Sequence, residues 1–291
     1  MISLHLRVLG ACNLGCEFCS YPIRETPWDL RRSMREVRAS SARYVQISGG
    51  EPLSAPPLGL LALMKWLRRE GKTVELQTNG SLVPGYPAEH LKSIVALSHL
   101  VNINFSAHTA KLDEAVTRTP GAFRLRELAV DRLLSLGAKV RLTYVVYSRN
   151  LKAAPRFPDY VAKRLKGIDW IQFSFVKGMG RAQGDASIIP PHAEAAPHID
   201  KAMRRCGELG IHAEVDHIPV GHLPDFVNQH ADTHKAFYGL KGYHSKDKAQ
   251  TEVCDGCALN TACPGVRKDY LEAWPFPDAS CAVLPKPAGR R

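Results

Sequence analysis

No apolar run in this 291-residue chain approaches the roughly 18 residues needed for a membrane-spanning helix. The opening Met1–Arg7 reads as a strand, without the basic stretch and apolar core of an export signal. Acidic side chains are in deficit, 28 against 39 basic, for a formal net charge of +11. No concentrated basic patch accompanies that surplus. The cations are scattered, as at Arg31-Arg32, Lys65, Arg68-Arg69 and Arg204-Arg205, which describes a solvated surface better than a nucleic-acid groove. There is no internal repeat beyond an alternation of short strands and helices. These absences argue against a membrane protein, an exported protein and a nucleic-acid binder, and lead to the expectation of a cytoplasmic chain. The length suits one large domain, or a large one with a small appendage.

Cysteine is the residue type present in an informative pattern. Eight thiols in an unexported chain point to metal ligation rather than disulfides. Cys12, Cys16 and Cys19 sit on one short loop after the first apolar run; Cys254, Cys257, Cys263 and Cys281 lie near the carboxyl end. Cys206 stands alone in a helical stretch and reads as a small buried hydrophobe. Three thiolates at spacings of four and three can converge on three corners of an iron–sulfur cube, leaving one iron to bind a small molecule. A structural zinc site is normally closed by four ligands in paired knuckles, which this offset triplet does not supply.

Between the cysteine groups the chain alternates strand and helix. Strands are expected at Leu4–Gly10, Tyr44–Ser48, Thr73–Gln77, Leu100–Phe105, Lys139–Tyr147 and Trp170–Val176, each ending in a polar or glycine-rich turn. Helices are expected near Leu58–Arg69, Ala88–Leu97, Phe123–Leu136 and Asp159–Lys166. Such alternation implies parallel strands joined by helical crossovers, an α/β barrel or open sheet with chemistry at the carboxyl ends of the strands. After Gly180 the rhythm weakens: a helix near Ala193–Leu209, a strand from Ile211 to Val220, then 222–250 with no clear period. This divides the chain into a core at 1–185, a connecting region at 186–249 and a cysteine-rich region with its tail at 250–291.

The Cys12-x3-Cys16-x2-Cys19 loop, with Gly49-Gly50-Glu51-Pro52 closing the second strand 30 residues after Cys19, resembles the signature of radical S-adenosylmethionine enzymes. The resemblance implies a partial (β/α)6 TIM-like barrel, a 4Fe-4S cluster on the three cysteines and S-adenosylmethionine on the open iron. It also implies an external one-electron reductant of flavodoxin or ferredoxin type, and hydrogen abstraction from the substrate by a 5′-deoxyadenosyl radical. Carried over by position, cofactor contacts fall on Phe18, Ser48, Gly49, Gly50, Glu51, Asn79, Ser106 and Val176. His108 stands where the family often has an acid, and can serve as proton acceptor or substrate contact. Asn150 is expected to be a structural turn residue. Cys254, Cys257, Cys263 and Cys281 resemble the auxiliary-cluster part of a SPASM or twitch extension, which implies a second 4Fe-4S cluster closed by four thiolates; zinc is the alternative. The cysteines of a full two-cluster SPASM domain are lacking. The expected substrate is a ribosomally made peptide, although no separate peptide-binding domain precedes the first strand. A small metabolite such as an amino sugar or cyclitol comes second, and RNA third.

Overall fold

The computed structural model describes residues 3–21, 26–237, 245–261 and 263–274. Seven parallel strands lie side by side in sequence order: β1 (Ser3–Arg7), β2 (Tyr44–Ser48), β3 (Thr73–Thr78), β4 (Leu100–Asn104), β5 (Val140–Val146), β6 (Trp170–Phe175) and β7 (Ala213–Asp216). The crossovers carry α1 (Leu30–Arg38), α2 (Pro57–Arg69), α3 (Ala88–Leu97), α4 (Ala110–Thr117) with α5 (Ala122–Ser135), α6 (Phe157–Arg164) and α7 (His192–Glu208). The sheet curls into a half-barrel whose edges, β1 and β7, do not pair with each other. Beyond β7 come α8 (Ala231–Phe237) and a two-stranded antiparallel ribbon of β8 (Lys248–Ala249) and β9 (Val266–Arg267). Among the described residues no helix is long and apolar enough to cross a membrane.

Strand alternation separates two environments. One row of side chains (Val45 and Ile47, Val74 and Leu76, Val101 and Ile103, Leu142 and Tyr144, Ile171 and Phe173) is buried with the helices in the apolar core. The opposite row is polar and hydrogen-bonded across strands. Glu75, fully buried, accepts from Tyr44 Oη (2.7 Å), Gln46 Nε2 (3.2 Å), Gln77 Nε2 (3.0 Å) and Arg141 Nη2 (2.6 Å). Arg141 Nε also donates to Asn102 (2.8 Å). A buried carboxylate with four donors and a cationic partner is compensated, and its neighbours hold the strand register.

Several elements depart from the sequence expectation: α1, α4, α8 and the β8–β9 ribbon are not anticipated there, and β7 is shorter than expected. The apolar stripe of α1 is short, with Val37 buried and Leu30 and Met34 partly buried against the core among basic residues, and Asp29 caps Arg32 N at 2.9 Å. The strand expected from Ile211 to Val220 joins the sheet as its seventh member but runs only over Ala213–Asp216, ending where His217 turns the chain with φ of 65°.

The pair Asp113–Arg126 joins α4 to α5 with both side chains wholly buried. Arg126 Nη1 donates to Asn104 O (3.0 Å) and the guanidinium lies 4.8 Å from the Phe105 ring centre. Asp113→Ala leaves that cation without its counter-charge and should lower the unfolding free energy by about 3–5 kcal/mol in a urea titration. A loss below about 1 kcal/mol would mean that the pair does not hold α4 in place.

Candidate active site

The cysteine loop has no regular structure of its own, and the barrel fixes it from several sides. On one side the β1–β2 ladder continues past both strands: Ser48 O accepts from Val8 N (2.9 Å), Leu9 O from Gly50 N (2.8 Å) and Ala11 O from Glu51 N (2.7 Å). The glycines make this approach possible. A Cβ on Gly49, whose φ is +148°, would lie 2.4 Å from Leu9 O, and one on Gly50 would lie 1.8 Å from Ala11 O. What crowds these glycines is therefore the chain's own backbone leading into Cys12.

Glu51 is fully buried and accepts from Leu53 N (3.0 Å), Thr78 Oγ1 (2.6 Å) and Asn79 N (2.7 Å). Burial raises its pKa against these donors. The carboxylate clips the turn after β2 to the turn after β3, which places Asn79. Asn79 Nδ2 donates to Asn13 Oδ1 (2.9 Å) and lies 3.7 Å from Cys12 Sγ, while Ser81 Oγ accepts from Asn13 Nδ2 (2.8 Å). The opposite flank is held by Glu17, inside the motif. It accepts from Arg149 Nε (2.6 Å) and Nη2 (2.9 Å), from Tyr147 Oη (3.1 Å) and from Arg118 Nη2 (3.4 Å). The end of α4 adds Thr117 O and Val116 O, accepting from Gly15 N and Glu17 N. From the β6 side, Arg181 N donates to Cys19 O (3.0 Å) and Arg181 Nη1 to Cys16 O (2.7 Å).

The remaining predicted residues divide by environment. Phe18 is buried and meets Tyr147 edge-on, ring centres 5.3 Å apart. Ser48 Oγ lies 2.8 Å from His5 Nε2, which also reaches Gln77 Oε1 (3.0 Å), so it joins the polar interior of the barrel. Val176 is buried at the end of β6 and donates to Val146 O (3.0 Å). Ser106, expected at the cofactor, is fully buried; its hydroxyl accepts from Val145 N (3.0 Å) and donates to Asn104 Oδ1 (3.3 Å), which fastens β4 to β5. Asn150 is also fully buried and bridges Ser106 O and Val145 O. His108 is half-buried just before α4, its pKa lowered by burial and by Arg156, so the ring is neutral near pH 7.

Cys12, Cys16 and Cys19 are all partly exposed free thiols. Burial raises the thiol pKa of Cys12, and that of Cys16 to about 11, with the neighbouring thiols adding to the rise. Among the described residues no three such side chains converge on a single metal ion. Three thiols on one short loop, near enough to raise one another's pKa, are the donor type that an iron–sulfur cluster takes, and its irons would draw the protons off. The donor set thus fits the implied cluster, with Asn79, Phe18 and the turn after β2 around it.

At the far end, Cys254, Cys257 and Cys263 lie on the loop between β8 and β9, partly exposed. Burial raises the pKa of Cys263, and Cys254 is near enough to add to it. Asn260 Nδ2 ties back to Cys254 O (2.7 Å). Cys281 lies outside the described residues. The ribbon packs on the barrel: the His192 ring stacks on Tyr270 with centres 3.7 Å apart, and Trp274 Nε1 donates to Ile189 O (2.8 Å). Cys206 is buried in α7, its pKa pushed up to about 12 by burial.

Sequence reasoning passed over Glu17, Asn13, Arg149 and Arg181, the side chains that hold the loop. The one signal was an acid inside a cysteine motif; its partners are 101 and 132 positions away. The Arg149 hydrogen bonds, ahead of the opposing burial, hold the Glu17 carboxyl below its ordinary 4.5. A lowered folded-state pKa gives stability that is full at neutral pH and lost as the pH falls through the folded value. Glu17→Gln should therefore lower Tm at pH 7, with the gap from wild type closing below the ordinary carboxylate range. A gap independent of pH would show that the pairing does not hold the loop.

The Radical SAM superfamily profile matches residues 6–152, just over half of the chain. The 7-carboxy-7-deazaguanine synthase of Rhodopirellula baltica is 35% identical over 88 residues, 28% of this chain and 33% of that enzyme. Its counterpart from Haemophilus influenzae is 31% identical over 72 residues, 24% and 33% of the two chains. The match thus spans about a third of the length of these curated relatives. Among solved structures, anSMEcpe with bound AdoMet and the Cp18Cys peptide has a TM-score of 0.69 at 14% identity, over 97% of this chain and 92% of that one. Streptococcus suis SuiB bound to S-adenosylmethionine has a TM-score of 0.66 at 15% identity, over 96% and 76%. At such identities these likenesses speak for the fold. The profile match, over the part of the half-barrel that carries the cysteine loop, leads to one conclusion: this chain belongs to the radical SAM superfamily.

Proposed function

We propose that this enzyme abstracts a hydrogen atom from a peptide substrate, with Cys12, Cys16 and Cys19 holding the 4Fe-4S cluster and S-adenosylmethionine on its open iron. The observation that carries the peptide reading is the near-full-length likeness to anSMEcpe, whose structure holds a peptide, supported by that to SuiB, solved with its precursor peptide SuiA. Held by Cys12, Cys16 and Cys19, the cluster and S-adenosylmethionine would supply, with a flavodoxin- or ferredoxin-type reductant, the one-electron chemistry that makes hydrogen abstraction from an unactivated carbon possible. The chain's own residues position this chemistry. Asn79 stands beside Cys12, and Phe18, Val176 and the turn at Gly49–Glu51 are the residues assigned to contact the cofactor. His108, neutral near pH 7, is available to accept a proton from the substrate. Cys254, Cys257, Cys263 and Cys281 hold a second, closed cluster that supports the ribbon and passes electrons. The second reading, a small-molecule substrate, is favoured by one observation: the curated relatives matched here are 7-carboxy-7-deazaguanine synthases.

Anaerobic reconstitution should give about eight irons per chain, and Cys12→Ala, Cys16→Ala and Cys19→Ala together about four. One zinc per chain would end the auxiliary-cluster assignment. Incubation with reductant, S-adenosylmethionine and peptides encoded beside the gene should give a mass change in one peptide, read by mass spectrometry. Turnover of a small heterocycle with no peptide altered would overturn the peptide reading.

A further inference from the structure

A cleft of about 660 Å³ opens between the exit of the cysteine loop, the turn after β6 and the β8–β9 ribbon. Ser20 and Tyr21, which directly follow Cys19, form one wall, and Gly178, Met179 and Gly180 another. Its cations are Arg7, Lys246, Arg267 and Lys268, against Asp247, Asp269 and Glu272. Arg267 differs from a surface cation. Its side chain is only 2% exposed, so its charge is held out of bulk water. Asp269 fixes one edge of the guanidinium, with Oδ2 accepting from Nη2 (2.8 Å) and Oδ1 2.8 Å from Nε. The remaining nitrogen, Nη1, is buried with no hydrogen-bond partner among the described residues. A buried donor left unmade is costly, and a guanidinium oriented by one carboxylate presents its free edge to a second anion.

The glycine beside it sharpens the argument. A Cβ on Gly178 would lie 2.5 Å from Asp269 O, so the ribbon sits directly on the turn after β6. That close seating places Arg267 in a cleft next to the cysteine loop, where Gly180 in turn lies against Cys19 O. Arg7, the last residue of β1, enters the same cleft with its guanidinium 4.2 Å from the Tyr21 ring centre.

We propose that this cleft is a carboxylate-binding subsite, in which Arg267 Nη1 and Arg7 take a carboxylate of the peptide substrate and so set which residue faces the radical. The assignment rests on the peptide reading for its source, a side chain or the carboxyl terminus, and on the cleft alone for its chemistry.

The test is binding to the full chain without reductant or S-adenosylmethionine, so that it does not depend on turnover. Fluorescence anisotropy would compare a labelled hexapeptide containing two glutamates, its glutamine counterpart, and each with a free or amidated carboxyl terminus; unlabelled glutarate would be the competitor. Wild type should bind the glutamate peptide or the free-terminus peptide at least about tenfold more tightly than its neutral partner, and so distinguish the two sources. Arg267→Gln should remove that preference, as truncating one side of a charge-assisted hydrogen bond does. Because Arg267 is buried, Arg7→Gln provides a second variant at the cleft mouth, expected to weaken binding several-fold. Glutarate binding that depends on Arg267, with no peptide bound, would keep the subsite and overturn the peptide source. Equal binding of charged and neutral peptides, with no effect of glutarate, would overturn the subsite itself.

Discussion

Everything in this structure turns on the anchoring of the loop from Leu9 to Tyr21. A loop that must present three thiols cannot rely on helix or strand to fix its backbone, so its polar groups are satisfied from outside. The turn after β2 pairs with its start through Gly50 N and Glu51 N. The turn after β3 reaches its middle through Asn79 and Ser81, and the region after β5 grips Glu17 through Arg149 and Tyr147. The turn after β6 closes on Cys16 and Cys19 through Arg181. Each contact comes from the carboxyl end of a different strand. A parallel sheet alone brings such distant segments to one rim, which is why loops at that rim carry chemistry in α/β folds.

The polar row inside the half-barrel serves the same end from below. Glu75, held by Tyr44, Gln46, Gln77 and Arg141, fixes neighbouring strands in register. His5 then links Gln77 to Ser48, the residue on which the Gly49–Gly50 turn begins. A partly satisfied network in a low-dielectric interior is costly, whereas a satisfied one rigidifies. The loop is thus positioned by strand ends that are themselves held in register.

Much of this was legible in the sequence. Cysteine spacing identified the loop and the strand–helix rhythm gave parallel strands with helical crossovers, because both are local patterns, while the choice of a partial barrel over an open sheet came from the family resemblance. Helix α3 falls at Ala88–Leu97 as its periodicity predicts. What could not be read were pairings between distant residues: Glu17 with Arg149, and Glu51 with Thr78. The role of Gly49 and Gly50 also required coordinates. Sequence shows that small residues are needed there, and only the fold shows that Leu9 and Ala11 are what approach them. Ser106 reads from the sequence as a strand-end ligand contact; that its hydroxyl braces β4 against β5 is a tertiary fact.

The proposed role of this anchored loop is to hold a cluster by three thiolates and to leave one iron open to S-adenosylmethionine. Electron paramagnetic resonance of the anaerobically reduced protein, with and without S-adenosylmethionine, tests it most directly. A ligand on one iron changes the electronic symmetry of the cluster, so the spectrum of the cluster on Cys12, Cys16 and Cys19 should shift when the cofactor is added. The shift should be retained when Cys257 is replaced by alanine. A reduced spectrum that is the same with and without S-adenosylmethionine would contradict the account.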